Sequence, residues 1–203
     1  IAPALAAGNC VIAKPSEITP YTAFLLGEIC NEAGLPKGVL NIVHGLGTST
    51  GQAIVEHPHI KAISFTGGTE TGKIIARTAA PMFKKLSLEL GGKNPNIIFA
   101  DCDYEKMLTT TVKSSFSNQG QICLCGSRIF VEASLFEQFK KDFIERVSQL
   151  IIGPPSDETT QVGALVSKAH YEKVLTFIDT VDTEESKLLY GGKRVRVKGY
   201  ENG

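Results

Sequence analysis

Apolar positions follow two rhythms along this chain, and the alternation between them is the main fold signal. Short apolar runs at Asn9–Lys14 (NCVIAK), Val39–His44 (VLNIVH) and Lys61–Phe65 (KAISF) have strand length. Between them lie helical stretches. One runs from about Thr22 to Ala33, with Phe24, Leu25, Ile29 and Cys30 at helical spacing, and closes at Gly34 and Pro36. Thr48–Glu56 is a shorter one, and Gly67–Gly72 opens a third that reaches about Ala80. This order predicts an α/β fold with a parallel sheet covered on both faces. Lys85–Leu90 (KLSLEL) differs, because Leu86, Leu88 and Leu90 alternate with Ser87 and Glu89, giving a strand with one apolar and one polar face. Gly91-Gly92 then marks the expected boundary, with residues 1–91 before it and 92–203 after it. Beyond it the pattern predicts strands at Asn96–Phe99 and Ser127–Glu132. Helices are predicted at about Tyr104–Ser117, Leu135–Leu150 and Lys168–Thr180.

Charge narrows the partners. Lys plus Arg and Asp plus Glu both number 21, so the formal net charge is zero. Neither a nucleic-acid backbone nor a membrane surface is the expected partner. The apolar runs are far shorter than the ~20 residues of a membrane span. Ile1–Gly8 is rich in alanine but has no cationic flank, which argues against a signal peptide. Five cysteines (Cys10, Cys30, Cys102, Cys123 and Cys125) make an odd count with no disulfide framework, which suits a reducing, cytoplasmic setting. Cys10, Cys30 and Cys102 read as inert buried thiols. No metal is expected, since Cys123-Leu124-Cys125 lacks a second cysteine pair and the four histidines are scattered. A start at Ile1 and a stop at Gly203 read as an internal piece of a longer chain.

Three constellations have chemical potential. In Phe65–Gly72 (FTGGTETG) a strand meets two glycines and a helix start, where orphan amides and the helix dipole favour an anion. Taken alone this is more often a tight strand-to-helix turn. Glu89, on the polar side of its strand and just before two glycines, could act as a general base if partly buried. Otherwise it is a solvated strand residue. Asn118-Gln119-Gly120-Gln121-Ile122-Cys123 is a polar loop that delivers a cysteine, the strongest side-chain nucleophile at neutral pH once ionised. The plain alternative is a buried thiol.

Together, GGTETG before a helix, LELGGKNP and then NQGQIC resemble the aldehyde dehydrogenase superfamily. KPSEITP, EAGLPKGVLNIV and ISFTGGTETG carry the resemblance along the whole chain. It implies a Rossmann-like cofactor-binding part, followed by the start of a second α/β catalytic domain. It also implies that Cys123 attacks an aldehyde to give a thiohemiacetal and then a thioester, that Glu89 activates the hydrolytic water, and that the two meet across a shared cleft. The implied cofactor is NAD. Lys14 and Glu17 would hold the adenosine ribose, Glu17 disfavouring a 2′-phosphate. Gly47 and Gly51 would lie near the adenine, and Gly67 and Gly68 at the pyrophosphate. Thr71 follows them in the helix start, and Leu90 would pack near the nicotinamide. Gly68 stands where the commonest family form has Ser, so only its N–H is available there.

Ile122 and Leu124 would line the substrate tunnel, and Cys125, where many relatives carry Ala, reads as a small core residue. The family's oxyanion Asn would precede Ile1, and is not Asn118. Its ribose-binding Glu and oligomerisation arm would follow Gly203. The chain is therefore expected to be inactive by itself and to expose a sheet edge prone to aggregation, the full-length enzyme being a homodimer or homotetramer. NQGQICLCGSR and Ser167–His170 (SKAH) are most similar to enzymes of muconic semialdehydes. A non-catalytic scaffold of the same fold is the alternative. A nucleotide-free acyl-transfer enzyme would leave KPSE and GGTETG without purpose.

Overall fold

In the computed structural model, which describes residues 1–181 and 186–201, the chain divides into two units, Ile1–Leu90 and Gly91–Gly203. Residues 182–185 and the last two residues of the second expected range lie outside the described residues. All three strand pairs are parallel and two-stranded, giving a mixed α/β fold.

In the first unit, α1 (Ala2–Ala6) precedes β1 (Val11–Ala13), α2 (Tyr21–Glu32) and β2 (Leu40–Ile42). β1 pairs with β2 from Val11 opposite Leu40. A single π-helical turn, Gly47–Gly51, leads into α3 (Gln52–Glu56), so the expected short helix is split. β3 (Ala62–Gly67), α4 (Thr69–Ala79) and β4 (Lys85–Leu90) then form a strand–helix–strand crossover. The alternation in KLSLEL holds: Leu86, Leu88 and Leu90 are half-buried while Ser87 and Glu89 are exposed. Leu86 and Leu88 join Ile63 and Phe65 of β3 against Val55, Ile75 and Ala79, the core between the sheet and helices α3 and α4. The sheet of this unit is thus two separate pairs rather than one continuous ladder.

Lys84 is buried at the lower edge of this core. Its ammonium donates to the carbonyls of Val55 (2.5 Å) and His57 (2.7 Å) and so closes the C-terminal end of α3. Burial, with Lys61 nearby, lowers its proton affinity below the ordinary lysine value.

The second unit pairs β5 (Pro95–Ile98) with β6 (Arg128–Val131), starting at Pro95 opposite Arg128. Ile98, Ile129 and Val131 face α5 (Tyr104–Phe116) and α6 (Phe136–Ser148), around a core of Ile98, Leu108 and Phe139. Fully burying such a side chain contributes about 1.5–3 kcal/mol. The other side of the pair leaves Ile97 and Phe130 exposed. Asp103 caps α5 by accepting from the Lys106 N–H, and Ser167 caps α7 (Lys168–Ile178) by accepting from the His170 N–H.

α5 and α6 are tied by Tyr104, whose hydroxyl donates to Asp142 at 2.7 Å. Burial first, then the bond to Asp142 and that residue's negative charge, push the Tyr104 phenol up to about 12. The unfolded phenol titrates near its ordinary 10.0, so the fold favours the protonated form. Stability from this group is complete below pH 10 and is lost as pH rises from there towards about 12. Chemical denaturation across that range is expected to show a declining midpoint in the wild type, and a flatter one in Tyr104→Phe.

Candidate functional site

The expected site residues fall in both units, and each is described within its own. In the first unit the crossover decides the geometry. β3 and β4 run parallel, so their C-terminal ends and the N-terminal end of α4 share one edge. The register sets Thr66 opposite Glu89 and Gly67 opposite Leu90. Gly72, one turn into α4, lies against Leu90: a Cβ there would come within 2.7 Å of Leu90 Cδ2. That glycine lets the helix start lie directly on the end of β4. Gly68 is the N-cap of α4 and has no side chain to cap it, so the first amides of α4 are left for solvent or an anion. A Cβ on Gly68 would meet nothing within 4 Å, and the same holds for Gly47. Thr71 is exposed in the first turn.

Glu89 itself is exposed. The partial burial anticipated for it is absent within this unit, because its strand face is the one turned away from α3 and α4.

Lys14, just after β1, is half-buried and donates to the carbonyls of Pro15 (2.8 Å) and Gly45 (3.1 Å). Glu17 lies 3.6 Å from its ammonium and keeps an exposed carboxylate. The stem of Lys14 runs beside Gly51, whose added Cβ would touch it at 3.6 Å. Lys14, Glu17, Gly47 and Gly51 therefore cluster around the turn into α3. A cation with an exposed carboxylate beside it, and Gly47 opening onto empty space, are the kind of groups that can receive the ribose and phosphates of a dinucleotide.

In the second unit, Cys123 is exposed on a tight turn, Ile122–Cys125, closed by the Cys125 N–H donating to the Ile122 carbonyl (3.0 Å). The buried Cys125 thiol accepts from the Ile122 N–H (3.4 Å). The turn is reached through three successive left-handed residues, Asn118 (φ 50°), Gln119 (φ 57°) and Gly120 (φ 69°). Gly120 is confined further, since an added Cβ would sit 2.8 Å from the Ser115 carbonyl. After the turn, Gly126 is strapped to α5: its N–H donates to Ser114 and its carbonyl accepts from the Ser115 hydroxyl (3.0 Å).

Sequence reasoning missed Asn94. Its side-chain amide donates to the carbonyls of Cys123 (2.5 Å) and Cys125 (3.1 Å). The register explains the meeting, because residues just before β5 must lie beside those just before β6. The remaining thiols depart in part from expectation: Cys10 is exposed rather than buried, and Cys30 and Cys102 are half-buried. A cavity of about 770 Å³ in this unit is lined by Gln119, Pro154, Ser167, Tyr171 and Arg194 among others, and not by Cys123. Among the described residues no helix is long and apolar enough to cross a membrane, and no cluster of His, Cys, Asp or Glu could hold a metal ion.

Fold and site together define a two-unit α/β protein with a crossover helix opening onto a Gly-Gly turn and an exposed cysteine on a braced turn. The aldehyde dehydrogenase family model matches residues 1–203, and the chain belongs to that family. It is 52% identical over 191 residues to 2-aminomuconic semialdehyde dehydrogenase of Mus musculus, covering 94% of this chain and 39% of the mouse protein. The 2-aminomuconic 6-semialdehyde dehydrogenase of a Pseudomonas species is 48% identical over 193 residues, covering 95% of this chain and 39% of that protein. Among solved structures, betaine aldehyde dehydrogenase from Staphylococcus aureus in complex with NAD+ superposes with a TM-score of 0.96 at 39% identity, covering all of this chain and 40% of that one. HpcC from Thermus thermophilus gives a TM-score of 0.94 at 45% identity, covering 96% of this chain and 38% of that one. The chain thus spans about two-fifths of the length of these relatives.

Gly120 offers a check on the bracing of the cysteine turn. Gly120→Ala forces a Cβ against the Ser115 carbonyl in left-handed backbone, and is expected to destabilise the protein by about 1–3 kcal/mol in urea unfolding.

Proposed function

We propose that this chain is an interior portion of an NAD-dependent aldehyde dehydrogenase, comprising the later part of the cofactor domain (1–91) and the first part of the catalytic domain (92–203). The observation carrying this reading is the shared edge where Glu89 and Leu90 adjoin the Gly67-Gly68 turn and the uncapped start of α4. It puts the strand end that carries Glu89 at the same edge as a helix start suited to a pyrophosphate.

Cys123 is the proposed nucleophile. The Cys123 thiol gives its proton to solvent, its sulfur adds to the aldehyde carbon, and the carbonyl oxygen becomes an oxyanion that the Cys123 N–H can stabilise. Bound NAD would supply the acceptor for the hydride of that carbon. The Cys123 thioester remains. Glu89 takes a proton from the water that attacks the thioester, and the carboxylic acid departs as the thiol re-forms. Lys14, Glu17, Gly47, Gly51, Gly67, Gly68, Thr71 and Leu90 bind and orient the dinucleotide. The Glu17 carboxylate accepts from ribose hydroxyls and repels a 2′-phosphate, favouring NAD over NADP. Holding both reactants turns hydride transfer into a positioned step. The full-length protein is proposed to be a cytoplasmic homo-oligomer acting on a small-molecule aldehyde.

In the full-length protein, NADH absorbance is expected to fall more than about a thousandfold in Cys123→Ala. Undiminished turnover in that variant would remove the nucleophile assignment. Glu89→Gln is expected to leave a stoichiometric burst of NADH and then a steady rate lowered about 100-fold or more. A variant with neither burst nor slowing overturns Glu89 as the base.

The identity of about half with 2-aminomuconic semialdehyde dehydrogenases supports a muconic semialdehyde as substrate. The expected preference is at least about tenfold in kcat/KM for 2-hydroxymuconic semialdehyde over propanal. Equal turnover of the two rejects the narrower substrate class and leaves the general one standing.

A further inference from the structure

We propose that Asn94 is the positioning residue of the cysteine turn, holding the Cys123 backbone so that its amide faces outward. The inference rests on the reading of Cys123 as nucleophile. The side chain of Asn94 has one NH2 group and bridges two carbonyls, those of Cys123 and Cys125, at 2.5 and 3.1 Å. Both ends of the reactive dipeptide step are therefore pinned from the same side. The Ile122 carbonyl is turned inward to the Cys125 N–H at 3.0 Å. In a planar trans peptide the C=O and the next N–H point in opposite directions. With the Ile122 oxygen held inside the turn, the Cys123 N–H must point out of it, and it has no hydrogen-bond partner among the described residues.

The same argument applies one residue later. Asn94 fixes the Cys123 oxygen, so the Leu124 N–H is also directed away from Asn94. Leu124 is largely exposed at 80%, so side-chain packing contributes little to holding the turn. Backbone hydrogen bonds must hold it, and Asn94 supplies those to the Cys123 and Cys125 carbonyls, while Ser114 and Ser115 hold Gly126 after the turn. Asn94 itself is placed by β5 and by the Arg128 N–H, which donates to the Asn94 carbonyl at 3.1 Å. The clamp is thus built on the start of the β5–β6 ladder rather than on another loop. Without the amide, the Cys123 and Cys125 carbonyls lose their anchor; the Cys125 N–H that holds the Ile122 oxygen shifts with them, and the Cys123 N–H, which shares the Ile122 peptide plane, loses its orientation. An oxyanion donor that wanders by about an ångström is worth far less, because displacements of that size cost about 100-fold in rate.

Two variants of the full-length protein test this, Asn94→Asp, which keeps the shape without the donors, and Asn94→Ala. The first readout is amide hydrogen exchange by mass spectrometry over residues 121–126. It is expected to quicken at least about tenfold in both variants while α5 exchanges as in the wild type. The second is steady-state kinetics, where kcat is expected to fall about 10–100-fold with KM for NAD kept within about twofold. Unchanged exchange in the loop overturns the proposal. So does faster exchange with kcat intact, and so does a loss of kcat matched by an equal loss of NAD binding. The exchange experiment reads the clamp whatever the chemistry. A failure of the nucleophile reading therefore appears separately, as turnover surviving in Cys123→Ala.

Discussion

The arrangement of the first unit depends on one close approach, that of Gly72 in α4 to Leu90 at the end of β4. Two parallel strands in sequence need a crossover, and a helix is the economical way to make one. The crossover returns the chain to the start of the sheet, so both strand ends and the helix start lie at the same edge. How near they come depends on what stands between helix and strand. With glycine at position 72 the Leu90 side chain packs directly on the α4 backbone. The uncapped amides at Thr69–Thr71 are thereby brought beside the Glu89–Leu90 step. A Cβ at position 72 would come within 2.7 Å of Leu90 Cδ2, so the Leu90 side chain or the helix start would have to shift.

The second unit solves a different problem by the same parallel logic. Its reactive segment is a loop, and loops have few apolar contacts to hold them. Register supplies the missing support. Because Pro95 lies opposite Arg128, the residue entering β5 is held next to the residues entering β6. Asn94 is on one side of the turn, and Ser114 and Ser115 at the end of α5 are on the other. The cysteine turn is held between a strand start and a helix end, the two rigid features nearest to it.

Much of this could be read in the chain beforehand, and the exceptions have physical causes. The Lys85–Leu90 strand was legible to the residue because a half-buried strand writes its period directly into its side chains. Helices α5, α6 and α7 were legible to within two residues at each end, since end residues fray or continue as turns. The division of the first unit into two strand pairs was not legible, because periodicity reports burial and says nothing of which strands are neighbours. The exposure of Glu89 followed from the alternation, but the extent of its burial depends on what packs on that face. Asn94 was invisible for another reason. Its partners are 29 and 31 residues away, and a side chain binding backbone carbonyls leaves no mark on the residue types it contacts.

The backbone leading into the cysteine turn bears on the choice between an enzyme and a scaffold of the same fold. Asn118 and Gln119 both adopt left-handed conformations, followed by Gly120. Asparagine tolerates that region through local hydrogen bonding, but glutamine is uncommon there, and each such residue costs of order 1–3 kcal/mol. A loop serving only to connect α5 with β6 gains nothing from that cost, since an ordinary turn would join them. Here the strained run aims a turn outward, and the Asn94 and Ser115 hydrogen bonds offset the strain while fixing its direction. The residue left at the exposed corner is a cysteine, whose own N–H has no hydrogen-bond partner among the described residues. Strain of that kind persists where surrounding structure over-determines a reactive group, which supports the enzymatic reading over the scaffold one.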